Sequence, residues 1–284
     1  MTNAIALWGG AVVAAALALR FGLPALLTAL GLHPAYHGPR YALPGKRALV
    51  ISTSHATLDR PGRKDGKPTG VFASEMTAPY YAFVDAGMTV DLASIRGGEI
   101  PIEPVSLRWP LACEADRRFL RDAAAQDKAK RSPSIAEIDF ARYDIVFLAG
   151  GWGAAYDFAQ TEALGRGLSA AWAAGAVVGG VCHGPLGLLH ASDADGAPLV
   201  FGRRLTAVTD RQVAQLGIDF TPMHPERDLR AAGAVFECRH ALRDMFAQHV
   251  VDDGRLVTGQ NQNAGTATAQ RMLRVAGGQE IASR

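Results

Sequence analysis

The sequence predicts an α/β domain whose mostly parallel sheet is covered by helices on both faces, preceded by an apolar segment long enough to cross a bilayer. Three observations predict it. Short β-prone apolar runs alternate with helix-compatible segments from Arg47 to Ala276, the pattern of successive β–α units. One of those runs, Ala176 to Val181, ends abruptly in Cys182 with small residues on both sides. Residues Ala4 to Leu32 are almost wholly apolar, with Arg20 as the only charge.

The 284 residues suffice for one large α/β domain plus an extension. A net charge of +2 gives no electrostatic case for nucleic acid. The three cysteines, Cys113, Cys182 and Cys238, lie far apart and form no metal-ligand spacing. Their odd number argues against a disulfide framework, and a reducing compartment suits a reactive thiol.

The N-terminal run exceeds the roughly 20 residues that span a bilayer. Met1-Thr2-Asn3 supplies no basic n-region, and no small-x-small cleavage site stands out between Gly31 and Gly45. A membrane anchor over residues 1–32 is therefore expected rather than a cleaved signal or a buried helical hairpin. Arg40, Lys46 and Arg47 follow the run, so the positive-inside rule places the C-terminal domain in the cytoplasm. Arg20 either snorkels from the end of a short span or marks a protein-packed helix, and Pro24 predicts a kink. Residues 33–45, punctuated by Pro34, Gly38, Pro39, Pro44 and Gly45, read as a linker to a domain over 46–284.

Arg47 to Ser54 reads as a first buried strand, and His55 to Thr69 as a polar loop at its carboxyl end. Open α/β sheets bind ligands at that edge. Phe72 to Gly87 predicts a helix, with Met76, Tyr80, Phe83 and Val84 at helical spacing and Gly87 as its stop. Pro79 predicts a kink or a late start. Thr89 to Ser94 is a second strand and Ile95 to Pro110 an irregular stretch. Glu114 to Gln126 reads as an exposed helix, Tyr143 to Ala149 as a third strand and Ala154 to Ala174 as a helix. After the strand ending at Val181, Leu199 to Thr206 suggests a small hairpin. Two short strands, His249 to Val251 and Arg255 to Thr258, flank an Asp-Asp-Gly turn, and Asn263 to Ala276 closes the domain as a helix.

Gly180-Val181-Cys182-His183-Gly184 has the spacing of a G-x-nucleophile-x-G elbow with Cys as the nucleophile. A sharp strand-to-helix turn strains the nucleophile's backbone, and side chains two residues either side would collide. Free N–H groups at such a turn favour a thiolate and can hold an oxyanion. His183 could relay a proton beside the thiol, or simply bond a carbonyl. Gly150-Gly151-Trp152-Gly153 ends a buried strand, which makes the Gly151 N–H an oxyanion candidate, although such glycines also make ordinary turns. Glu75 sits in a first helical turn, where acidic residues are common, and spacing alone assigns it no more than that. Asp210 opens a helix, as an N-cap or as the acid that orients His183. Gln260, Asn261, Gln262 and Asn263 could line a pocket or make turns.

Taken together, these motifs resemble the DJ-1/PfpI superfamily, which has a flavodoxin-like fold of the class I glutamine amidotransferase type. The glyoxalase III and chaperone branch is the most similar. The matching pieces, in family order, include GVFASE at 70–75 with Pro79-Tyr80-Tyr81, and Val90 to Ser94 with Gly97-Gly98. They continue with AGGWG at 149–153, VCHGP at 181–185, GRRLT at 202–206 and LVTGQN at 256–261. The resemblance covers about Lys46 to Ala276. It implies a nucleophilic Cys182, Glu75 as its acidic partner, His183 as proton relay, and an oxyanion site from Gly151 and the backbone N–H of His183.

Two departures stand out. Relatives often carry His after the paired glycines, where this chain has Trp152, which should alter substrate contacts. The branch's third triad acid falls near Thr209 to Val213, where Asp210 is the only carboxylate. The implied function is a cofactor-independent glyoxalase III that turns a 2-oxoaldehyde such as methylglyoxal into a 2-hydroxy acid. An amide or peptide hydrolase, and a non-catalytic membrane-tethered chaperone or redox sensor, are the alternatives. The expected partners are an aldehyde substrate and, through the N-terminal segment, the membrane. The resembled family commonly forms dimers, so a homodimer is also allowed for.

Overall fold

The computed structural model describes Trp8, Val12 and residues 14–278. Six strands form the central sheet: β1 (Arg47–Ser52), β2 (Thr89–Ser94), β3 (Ile145–Leu148), β4 (Val177–Val181), β5 (Val250–Asp253) and β6 (Leu256–Gly259). Their spatial order is β2-β1-β3-β4-β6-β5. All neighbours run parallel except β5, which pairs antiparallel with β6 at the edge. The α-helices among the described residues include α1 (Leu23–Ala29), α2 (Ala73–Asp85), α3 (Glu114–Phe119), α4 (Ala123–Lys130), α5 (Ala154–Asp157), α6 (Glu162–Ala173), α7 (Asp210–Leu216), α8 (Pro225–Ala231) and α9 (Gly265–Ala276).

The two-residue alternation of the strands divides the core between the two faces of the sheet. Ala48 and Val50 of β1 point one way, into the apolar layer that also holds Met76 and Phe83 of α2 and Met272 and Leu273 of α9. Leu49 and Ile51 point the other way, into the layer that also holds Leu164 and Leu168 of α6 and Leu188. Full burial of side chains this size contributes about 2 kcal/mol each. An exposed ion pair such as Arg118–Asp85 contributes at most about 1 kcal/mol, so the apolar layers hold the sheet and its carboxyl edge in place.

The expected transmembrane helix is not found: no helix among the described residues is long and apolar enough to cross a membrane. The expectation of a membrane-anchored protein with a cytoplasmic domain loses its basis with it. Residues 1–7, 9–11 and 13 of the expected segment lie outside the described residues. The described part of the segment departs from a regular span. The helix passes through a π-type turn at Ala18–Gly22 and continues as α1 only to Ala29. Gly31, at φ +107°, then turns the chain, and Leu32 is buried at 3% exposure. Hydropathy counts apolar residues and does not register such a turn.

Other elements differ in detail. The single exposed helix expected at Glu114–Gln126 is two helices, α3 and α4, which bury Phe119 and Ala125. The helix expected from Ala154 breaks between α5 and α6. The expected hairpin at Leu199–Thr206 does not form; Arg204–Leu205 instead pairs parallel with Val235–Phe236. Pro79 lies within α2 without ending it.

Candidate active site

The strand register brings the site together. β3 and β4 are parallel neighbours, so the residues after Leu148 and after Val181 emerge side by side at the carboxyl edge. Cys182 follows β4 directly and takes φ +59°, a left-handed conformation shared by only one other non-glycine among the described residues, His33. Such a conformation costs about 1–2 kcal/mol and persists only where the surroundings enforce it. Here the Cys182 N–H donates to the Gly259 carbonyl at 3.1 Å, and its own carbonyl accepts from the Val208 N–H at 3.1 Å.

The flanking glycines are needed because the elbow is crowded. A Cβ at Gly180 or at Gly184 would lie 2.1 Å from the Leu148 carbonyl oxygen. At Gly150 it would lie 2.4 Å from Glu75 Oε2 and 2.7 Å from the His183 nitrogen. The GGWG run therefore serves close approach as well as turning. That role of Gly150 is readable in the sequence only as one of a pair.

Three buried groups meet at the thiol. Cys182 Sγ lies 3.4 Å from His183 Nδ1. Glu75, in the first turn of α2 and 1% exposed, lies beside the thiol, lines the same cavity and shifts its titration. The backbone N–H groups of Gly151 and His183 lie close enough to the sulfur to favour its charged form. Burial dominates the electrostatics. It pushes the Glu75 carboxyl up to about 8, against the smaller opposing effect of the thiol. Burial and the Glu75 charge raise the Cys182 thiol, while the two N–H groups pull it down. Burial, then repulsion from His224, lowers His183 to about 3, so its imidazole is neutral at pH 7. Glu75 Oε2 and His183 Nε2 are both buried without a hydrogen-bond partner. Two unpartnered polar atoms beside one thiol are costly in a resting protein and suit a site that receives a polar ligand.

Trp152 packs on His183 with ring centroids 4.9 Å apart. Both line a cavity of about 330 Å³ that also contains Cys182, Glu75 and Gly151. Asp210 does not join them. It is the first residue of α7, with Thr209 as the cap; its side chain is 49% exposed and faces His224 at 3.9 Å, and its N–H donates to Glu226. The expectation that Asp210 orients His183 is not met by this placement. Its carboxyl is raised by partial burial and by Glu226. From the same helix Gln212 reaches the cavity wall, 4% exposed, with its side-chain oxygen accepting from Asn261 Nδ2 at 3.2 Å.

The amide run braces the site from behind. Asn261 Nδ2 also donates to the carbonyls of Asp244 and Ala247. Gln262 and Asn263 both donate to the Met245 carbonyl. Gln212 and Leu32 carry no local sequence signal that marks them as cavity residues.

Comparison with known proteins places the chain among relatives. The sequence model of the DJ-1/PfpI family matches residues 68–274. A glutathione-independent glyoxalase of Schizosaccharomyces pombe is 29% identical over 241 residues, covering 81% of this chain and 96% of the relative. A probable glutathione-independent glyoxalase of Saccharomyces cerevisiae is 30% identical over 236 residues, covering 80% of this chain and 97% of the relative. Among solved structures, glyoxalase III of Candida albicans is similar with a TM-score of 0.73 and 25% identity, over 81% of this chain and 97% of that one.

Proposed function

The chain belongs to the DJ-1/PfpI family, and from that premise we propose that it is a cysteine-dependent, cofactor-independent glyoxalase that converts 2-oxoaldehydes to 2-hydroxy acids without glutathione. One observation carries the reading. A thiol held at a left-handed elbow lies beside a buried carboxyl, 3.4 Å from a neutral imidazole, and is influenced by the backbone N–H groups of Gly151 and His183. The named relatives support the same reaction class.

Each group has a task in that chemistry. Glu75 takes the thiol proton as Sγ bonds to the aldehyde carbon. The carbonyl electron pair moves onto oxygen, between the N–H groups of Gly151 and His183, and Glu75 returns the proton there to give a hemithioacetal. Glu75 then removes the C1 hydrogen and restores it at C2 through an enediol. Neutral His183 relays the hydroxyl proton from the C1 oxygen to the C2 oxygen. The result is a thioester with a hydroxyl at C2. Water cleaves the C–S bond, releasing the 2-hydroxy acid and restoring the thiol. One aldehyde and one water give one acid.

The raised thiol pKa and 6% exposure of Cys182 count against a role as a redox sensor, which calls for an accessible thiolate. Amide hydrolysis would use the same thiol and N–H groups, and an acyl-enzyme formed from a peptide or amide would move the assignment to it. The test is lactate formation from methylglyoxal by the full chain without glutathione, beside Cys182→Ala. The variant should lose at least about a thousandfold in rate. Absence of lactate from a folded protein with a titratable Cys182 would overturn the proposal.

A further inference from the structure

The cavity over Cys182 is larger and more apolar than methylglyoxal requires. At roughly 30 Å³ per water-sized group, 330 Å³ admits on the order of ten non-hydrogen atoms, and methylglyoxal has about half that number. Lys67 and Glu103 contribute to its lining away from the thiol, but most of the rest is apolar, including Leu32, Val105, Leu111, Leu216, Ile218 and Met245. Val105 and Leu216 are 47% and 41% exposed. Exposed apolar side chains gathered at one cavity mark a binding surface rather than core packing.

Leu32 comes from outside the part of the chain that matches the family, residues 68–274. Its position is fixed on both sides. A Cβ at Gly31 would lie 2.6 Å from the Phe246 carbonyl oxygen, so only glycine allows this approach. The His33 N–H donates to Asn263 Oδ1 at 2.8 Å, and His33 Nε2–H donates to the Leu111 carbonyl at 2.7 Å. Leu111 is itself a wall of the cavity. The N-terminal segment is thus fastened to the rim, with Leu32 turned inward and 3% exposed.

We propose that these walls form an apolar subsite for the carbon chain or ring of the substrate, that Leu32 is a specificity-determining part of it, and that aryl or branched-alkyl 2-oxoaldehydes are preferred over methylglyoxal. The substrate class rests on the glyoxalase reading above; the subsite itself does not.

The test compares phenylglyoxal with methylglyoxal on the full chain. The ratio of their kcat/KM values should be roughly tenfold or more in favour of phenylglyoxal. It should fall severalfold, mainly through KM, in Leu32→Ala, and also in Val105→Ser, whose exposed position spares the fold. A ratio near one, or a ratio that neither variant changes, overturns the subsite while Cys182-dependent turnover leaves the glyoxalase reading standing. A second readout needs no turnover: alkylation of the Cys182-containing peptide by iodoacetamide, followed by mass spectrometry. Acetophenone should slow it severalfold more than acetone at equal concentration, and Leu32→Ala should remove the difference. That protection without turnover of either aldehyde keeps the subsite and overturns the glyoxalase reading. Equal effects of the two ketones overturn the subsite.

Discussion

Cys182 Sγ and His183 Nδ1 lie 3.4 Å apart although the residues are neighbours in sequence. Consecutive side chains of an extended strand point to opposite faces. The left-handed turn at Cys182, φ +59°, breaks that alternation and lets the imidazole swing beside the sulfur. The elbow therefore sets both the strain at the thiol and its pairing with the imidazole.

The buried carboxyl should govern the pH profile. Glu75 is held neutral up to about pH 8, so its carboxylate form, the proposed acceptor of the thiol proton, increases as pH rises through that value. In wild type, kcat/KM for methylglyoxal should climb to a plateau above about pH 8. Glu75→Gln should lose about a hundredfold or more and show no such limb. A full-rate Glu75→Gln enzyme would remove Glu75 from the chemistry.

The same shift has a stability consequence. Between the ordinary carboxylate value of 4.5 and about 8 the native state binds a proton that the unfolded state has lost. Stability from this group is present at low pH and declines as pH rises through that window. Glu75→Gln should therefore melt higher relative to wild type at pH 8.5 than at pH 5, measured by thermal unfolding in matched buffers.

Backbone strain at the nucleophile can be read directly. Glycine usually destabilises relative to alanine, but at φ +59° alanine keeps the strain and glycine releases it. Cys182→Gly should be at least as stable as Cys182→Ala, by about 0.5 kcal/mol once the added freedom of the unfolded chain is counted. A clearly lower denaturant midpoint for the glycine variant would contradict the strained elbow.

Crowding predicts the opposite outcome next door. Gly184→Ala places a methyl group 2.1 Å from the Leu148 carbonyl oxygen, a backbone atom that cannot rotate away. A loss of about 3 kcal/mol in chemical denaturation, or a failure to fold, is expected.

Asp210→Asn should retain activity within about twofold, since the side chain is half exposed and faces His224 rather than His183, and the contact with Glu226 is made by the backbone N–H. A hundredfold loss with normal folding would restore it as the orienting acid.

These cases show what the sequence makes legible. The strand before Cys182 and the glycines around it are local signals, and the alternation of strands and helices is a pattern over the whole chain. Glu75 is different. Its contact with Cys182 joins two distant elements, so only family resemblance singled it out. Asp210 shows why residue type does not give direction. Each step along a helix turns about 100°, and Gln212 and Val213 face inward while Asp210 faces out. Leu32 was hidden by its own hydropathy, which reads equally as membrane span and as cavity wall. Arg204–Leu205 finds its partner in a later segment, which a search for adjacent hairpins cannot see.

The contact of Trp152 with His183 gives the site an optical label of its own. The chain has four tryptophans, and this one lies against the imidazole beside the nucleophile. Indole emission responds to local polarity and is quenched by a protonated imidazole. A hemithioacetal on Cys182, or any proton passed to His183, would alter the emission of this indole before product leaves. Stopped-flow fluorescence with Trp152→Phe as the blank would then time adduct formation separately from hydrolysis.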